Sequence, residues 1–127
     1  MKKLIVISNH TTEKWCEEQR RGWEEIYHIP FPNVSAEADT AEVMSIAREL
    51  IKKINSLTDE GFNYISCQGE FSLATVINNW VYQLLTTDRA PLVMVFPTTE
   101  RNAVETVEAD GTTSKQVVFK FCQWREI

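Results

Sequence analysis

Residues Phe62 to Leu85 constrain the chain most. A short apolar run, Phe62-Asn63-Tyr64-Ile65-Ser66, passes through Gln68-Gly69-Glu70 into a long apolar-rich segment that opens at Phe71. The run reads as a buried strand, the three residues as a tight turn and the segment as a helix, which together make half of a βαβ unit. Such a junction sets unpaired backbone N–H groups and the positive end of a helix dipole at the strand's carboxyl end. Open parallel sheets bind their ligands there. Ser8-Asn9-His10, Pro30-Phe31-Pro32-Asn33 and Thr98-Thr99-Glu100-Arg101 also follow predicted strands, so all are expected to crowd the same rim.

Leu4-Ile5-Val6-Ile7 is a continuous aliphatic run of the kind found in strands covered on both faces. Although Met1-Lys2-Lys3 resembles the start of a signal peptide, the apolar run stops at Ser8, and the segment reads as a first strand. Thr11 or Thr12 caps a predicted helix over 13–21, in which Trp15, Gln19 and Trp23 give a modest apolar stripe. Ile26 to Ile29 form a short second strand, stopped by Pro30 and Pro32, and 33–39 read as loop. From Thr40 to Leu57 the residues Val43, Ile46, Ala47, Leu50, Ile54 and Leu57 recur at three- and four-residue steps, an amphipathic helix capped by Asp39 or Thr40. Asp59-Glu60-Gly61 returns the chain to the central strand.

On the helix after Phe71, Leu73, Val76, Ile77, Trp80, Val81 and Leu84 cover more circumference than one sheet face needs, which predicts a further contact, most simply with a second copy of the chain. Leu92 to Phe96, entered through Pro91 and left through Pro97, is a fourth buried strand. Residues 103–108 and 116–121 then alternate in twos around Ala109-Asp110-Gly111, an antiparallel hairpin at a sheet edge. The order β-α-β-α-β-α-β-ββ predicts a single α/β domain over 1–127. Its expected form is a three-layer sandwich, a mostly parallel sheet carrying a C-terminal antiparallel β-hairpin.

Size and charge bound the function. At 127 residues there is room for one core. A net charge of −5 argues against long nucleic acid, whose binding rests on many Lys/Arg–phosphate contacts, but not against a small anion in one pocket. Cys16, Cys67 and Cys122 are odd in number and widely spaced, so neither a disulfide framework nor a metal site is expected, and a reduced, cytoplasmic setting fits. No apolar run approaches a membrane span. G-x-G-x-x-G and the Walker motif are both missing, which argues against ordinary NAD or ATP chemistry.

Each rim motif has a functional and a plain reading. Gln68, Gly69, Glu70 and Phe71 offer N–H groups and an amide to a phosphate or base, glycine letting the ligand approach closely; otherwise they are a turn in which Glu70 complements the helix dipole. Thr98, Thr99 and Arg101 suit phosphate oxygens, or else form a solvated connection with Arg101 paired to Glu100 or Glu105. His10 is placed for proton transfer or for loop hydrogen bonding. His28 lies inside a strand with no partner at metal-ligand spacing. Trp15, Trp23, Trp80 and Trp124 stack on bases or pack in core and interface.

With those residues in hand, the chain resembles the small stand-alone ring nucleases of type III CRISPR systems, relatives of the CRISPR-associated Rossmann fold. The likeness rests on Ser8-Asn9-His10, on Gln68-Gly69-Glu70-Phe71, on Thr98, Thr99, Arg101 and Glu105, and on the closing strand near Trp124-Arg125. It departs at Glu70, where Asp is expected, and at Phe121, where similar proteins carry a polar residue. The resemblance implies a Rossmann-like homodimer that binds a cyclic oligoadenylate, above all cyclic tetra-adenylate, across its two-fold axis. It implies cleavage without metal or cofactor to linear products ending in a 2′,3′-cyclic phosphate. Arg101 and Thr99 with the N–H groups of 69–71 would hold the phosphate, Ser8, Asn9 and Gln68 the ribose or adenine, and His10 would move the proton. A sensor or sponge for the same messenger is the first alternative. An interaction protein or nucleotide-handling enzyme outside defence signalling is the second.

Overall fold

A computed structural model describes residues 2–59, 61–85 and 92–127. The aliphatic run becomes β1 (Lys2–Ser8), with Leu4 to Ile7 buried, and it lies inside a five-stranded sheet of order β2-β1-β3-β4-β5. β2 (Glu25–Pro30), β3 (Phe62–Cys67) and β4 (Leu92–Val107) run parallel to it in sequence across the sheet, while β5 (Thr113–Glu126) runs antiparallel to β4. The mostly parallel sheet with a closing antiparallel pair is as expected from the strand patterns.

Side chains alternate between the two faces of β1 and so feed two different cores. Ile5 and Ile7 join Ile29, Ile65, Cys67, Leu92 and Met94 beneath α2 (Thr40–Leu57) and α3 (Phe71–Leu85). Leu4 and Val6 join Tyr64 and Val95 on the opposite face, under Trp15, Trp23, Ile26, Val93 and Trp124.

The stripe on α2 behaves as its spacing dictates. Val43, Ala47, Leu50 and Ile54 are buried, and the Asp39 carboxylate caps the helix by accepting from the Glu42 N–H at 2.8 Å. Truncating a side chain as enclosed as Leu50 costs about 2–5 kcal/mol in such positions. Part of the surplus apolar surface of α3 is used within the chain. Leu73, Ala74, Ile77 and Val81 are buried, and Val76, Trp80 and Leu84 pack against the same core, where α3 meets α2.

Two expectations need correction. The predicted helix over 13–21 is instead a 3-10 turn, Thr12–Lys14, and one α turn, α1 (Glu17–Arg20), split at Trp15-Cys16. The break lets Trp15 turn toward Trp124, with ring centroids 5.5 Å apart, while the Trp124 indole N–H donates to the Gln19 carbonyl at 2.9 Å. Burying that aromatic surface outweighs the continuity of a helix with little amphipathic stripe. The layer on this face is therefore thin.

The fourth strand and the first arm of the hairpin are one strand, so Thr98 to Arg101 sit inside β4 and not in a connection. Pro97 does not end the strand because pairing with β3 stops at Met94, so its missing N–H interrupts no ladder on that side. Beyond Pro97 the β4/β5 pair projects as a two-stranded arm, turned at Asp110-Gly111 with Gly111 at φ +86°. Glu60, read in the return to the central strand, and Pro91, read as the entry to the fourth, lie outside the described residues. No helix among those residues is long and apolar enough to cross a membrane.

Candidate functional site

β1 has β2 on one side and β3 on the other, so the chain leaves neighbouring strand ends in opposite directions and opens a crevice at the carboxyl edge. Backbone pairing draws the two exits together: the Gln68 N–H donates to the Ile7 carbonyl and the Phe31 N–H to the Ser8 carbonyl, both at 3.0 Å. Ser8, Asn9 and His10 therefore share an edge with Gln68, Gly69, Glu70 and Phe71.

Ser8 is held by its neighbours. Its hydroxyl donates to the His10 carbonyl at 2.7 Å, and the His28 Nε2 lies 3.1 Å from the Ser8 carbonyl and 3.3 Å from the Ser8 hydroxyl oxygen. A ring nitrogen facing a carbonyl serves as donor, so Nε2 carries the proton in this arrangement. The His28 ring thus braces the loop that carries Asn9 and His10, both exposed. Spacing along the sequence could not find His28. The parallel register, which sets Ser8 beside Pro30 and Val6 beside His28, brings it in.

Gly69 is needed for a neighbour already present. A Cβ there would come within 2.4 Å of the Phe31 ring, and Phe31 is buried, so the room expected for a ligand's approach is filled by this aromatic. Glu70 caps α3: its carboxylate accepts from the backbone N–H groups of Ser72 (3.0 Å) and Leu73 (2.9 Å) and from the Ser72 hydroxyl. The Ser72 hydroxyl first, then those N–H groups, hold its pKa below the ordinary carboxylate value. The positive end of α3 is therefore already met by a fixed anion within the chain.

Phe71 is the outlier. As the first residue of α3 it leaves 88% of its surface to solvent. With Cys67, Gln68, Gly69, Ala74, Thr75 and Asn78 it lines an open notch of about 300 Å³. The Asn78 amide donates to the Cys67 carbonyl at 3.3 Å, while its own Oδ1 is buried and has no partner among the described residues. Burial pushes the Cys67 thiol up to about 12, which leaves it an inert wall of the notch. Thr75 and Asn78 were beyond sequence reasoning because they sit one and two turns into a helix whose pattern reads as packing.

Thr98, Thr99 and Arg101 lie on β4 beyond Met94, where its pairing with β3 ends. Thr98 closes a bulge on β5, its hydroxyl donating to the Gln123 carbonyl at 3.0 Å and accepting from the Gln123 N–H at 3.2 Å. Arg101 lies over the Phe119 ring, 5.4 Å from its centroid. Neither Glu100 nor Glu105 forms an ion pair with it among the described residues. Residues 8–10 and 68–71 are joined at the edge by backbone bonds, while 98–101 are paired with β5. Among the described residues no cluster of His, Cys, Asp or Glu could hold a metal ion.

Fold and edge together define an α/β domain with an open crevice at its sheet's switch point and a projecting antiparallel arm. The chain belongs to the Uncharacterized protein MJ1673 family, whose model matches residues 2–125. No curated protein and no solved structure matches it.

Proposed function

We propose that the switch-point edge binds a cyclic oligoadenylate, most simply cyclic tetra-adenylate, and that the protein is a ring nuclease acting on it. The observation that carries this reading is Phe71, an aromatic ring left in solvent at the mouth of a notch lined by Gln68, Thr75 and Asn78. An adenine has the flat face to stack on the ring and an exocyclic amine to donate to an exposed acceptor such as Gln68. Ser8, Asn9 and Gln68 position ribose and base.

Cleavage needs little machinery. A ribose 2′-oxygen attacks the adjacent phosphorus, the bond from phosphorus to the 5′-oxygen breaks, the attacking hydroxyl loses its proton and the leaving oxygen gains one. The products are a 2′,3′-cyclic phosphate and a 5′-hydroxyl. Holding the two oxygens in line is the main demand, and His10 is the residue for proton transfer. Type III CRISPR signalling is the setting that the resemblance suggests, with a homodimer spanning the ring's own symmetry. Arg101 and Thr99 contribute through the arm and not within this notch.

A second reading, a sensor or sponge that binds without cleaving, is favoured by Glu70. Its carboxylate takes the first-turn N–H groups of α3 that would otherwise neutralise phosphoryl charge. Incubation with cyclic tri-, tetra- and hexa-adenylate, with and without EDTA, followed by chromatography, separates the readings. Linear products that persist in EDTA support the nuclease, and intact rings that co-elute with the protein support the sponge. Intact rings with no binding overturn both.

A further inference from the structure

The arm is open to solvent, its base sharing a hollow with Cys16, Glu18 and Gln19. From Thr99 to Lys120 every residue is exposed, including Phe119 at 63% and Val107 at 71%. A two-stranded ribbon with no covered face is marginal in water, and Val and Phe on it contribute only when packed.

The residues of the arm divide by alternation into two faces. One carries Glu100 beside Lys120, Asn102 beside Val118, Val104 beside Gln116 and Thr106 beside Ser114, so that two valines stand among polar residues. The other pairs Thr99 with Phe121, Arg101 with Phe119, Ala103 with Val117, Glu105 with Lys115 and Val107 with Thr113. The Phe121 ring touches Trp124, so this second face continues the tryptophan layer of the domain outward.

The second face is complementary to itself. Turned about a two-fold axis through the Ala103–Val117 pair, it sets Arg101 of one copy opposite Glu105 of the other and Phe119 opposite Lys115. Phe121 then meets the small pair Val107 and Thr113. The Arg101–Glu105 ion pair occurs twice because the contact is isologous. Cation and carboxylate fall where the apolar rows need opposite partners, and neither Arg101 nor Glu105 has an ion pair among the described residues.

We infer that the arm is a dimerisation element, its Phe119 face packing on the same face of a second copy. Arg101 then acts in assembly: it holds two copies together and so sets the spacing of two switch-point edges. This goes beyond the messenger reading and does not depend on it.

The test uses the full chain without ligand. Light scattering after gel filtration is expected to give the wild type twice the 14.7 kDa of the chain. Arg101→Glu and Glu105→Arg, each on the exposed arm, are each expected to halve that mass while far-UV circular dichroism of the domain is kept. An equimolar mixture of the two variants restores opposite charges at both contacts and is expected to return to the doubled mass. A monomeric wild type overturns the inference and leaves the face to another partner. Variants that stay dimeric, or a folded mixture that stays monomeric, overturn the proposed register. A dimer that ignores cyclic oligoadenylates sinks the messenger reading alone.

Discussion

The ring of Phe31 lies against the bare α-carbon of Gly69, so close that a Cβ would fall 2.4 Å from its Cδ2. The contact ties the loop after β2 to the turn between β3 and α3, across the strand end that lies between them. Backbone and a buried ring leave little to give way. Gly69→Ala is expected to destabilise the fold by about 1–3 kcal/mol, as overpacking does. Phe31→Leu in the same chain should recover part of the loss, and denaturant unfolding of the three variants measures both.

Glu70 gives a pH signature. Its folded pKa lies below the unfolded one, so the unfolded chain takes up the proton first. The stabilisation is complete above the unfolded carboxylate pKa and disappears as pH falls through the folded value. Glu70→Ala should lower the Tm by about 4 °C at neutral pH, through loss of a helix cap. The gap to wild type should close between about pH 5 and 3, which thermal melts across that range would reveal.

Thiol chemistry reports on the notch. Cys16 and Cys122 are exposed and Cys67 is buried with its thiol pushed up to about 12. At pH 8 a disulfide reagent should titrate Cys16 and Cys122 promptly and Cys67 only when denaturant opens the core. Rapid labelling of Cys67 in the folded protein would mean that the α3 side of the sheet opens readily.

For Phe71 the expectation separates binding from folding. Phe71→Ala removes a ring that packs on almost nothing, so the melting temperature should hold. Affinity for cyclic tetra-adenylate should fall about tenfold, the loss of one stacked base. Calorimetry with the ligand and a melt without it give both numbers, and unchanged affinity would remove Phe71 from the site.

Sequence pattern foretold the elements whose signals are local. The α2 stripe, the aliphatic β1 and the Asp110-Gly111 turn each declare themselves within a few residues. What escaped was decided at a distance. The polar run Thr98 to Arg101 after Pro97 looks like the end of a strand, yet pairing with β5 carries the strand through it. Trp15 breaks a helix in order to reach Trp124. At the candidate site the edge residues 8–10 and 68–71 were legible because they follow apolar runs. His28, Thr75 and Asn78 were not, since their neighbours come from register and helix rotation.

The bond from the Trp124 indole to the Gln19 carbonyl spans 105 positions of chain. On a ribosome, the aliphatic core under α2 and α3 has all its strands up to β4 before Trp124 is even made. The tryptophan face by then holds Trp15 and Trp23 but must wait for Trp124, whose ring packs against both. A nascent chain of this protein therefore passes through a stage with one side of its sheet finished and the other short of its closing tryptophan, and it is that stage that a chaperone would meet.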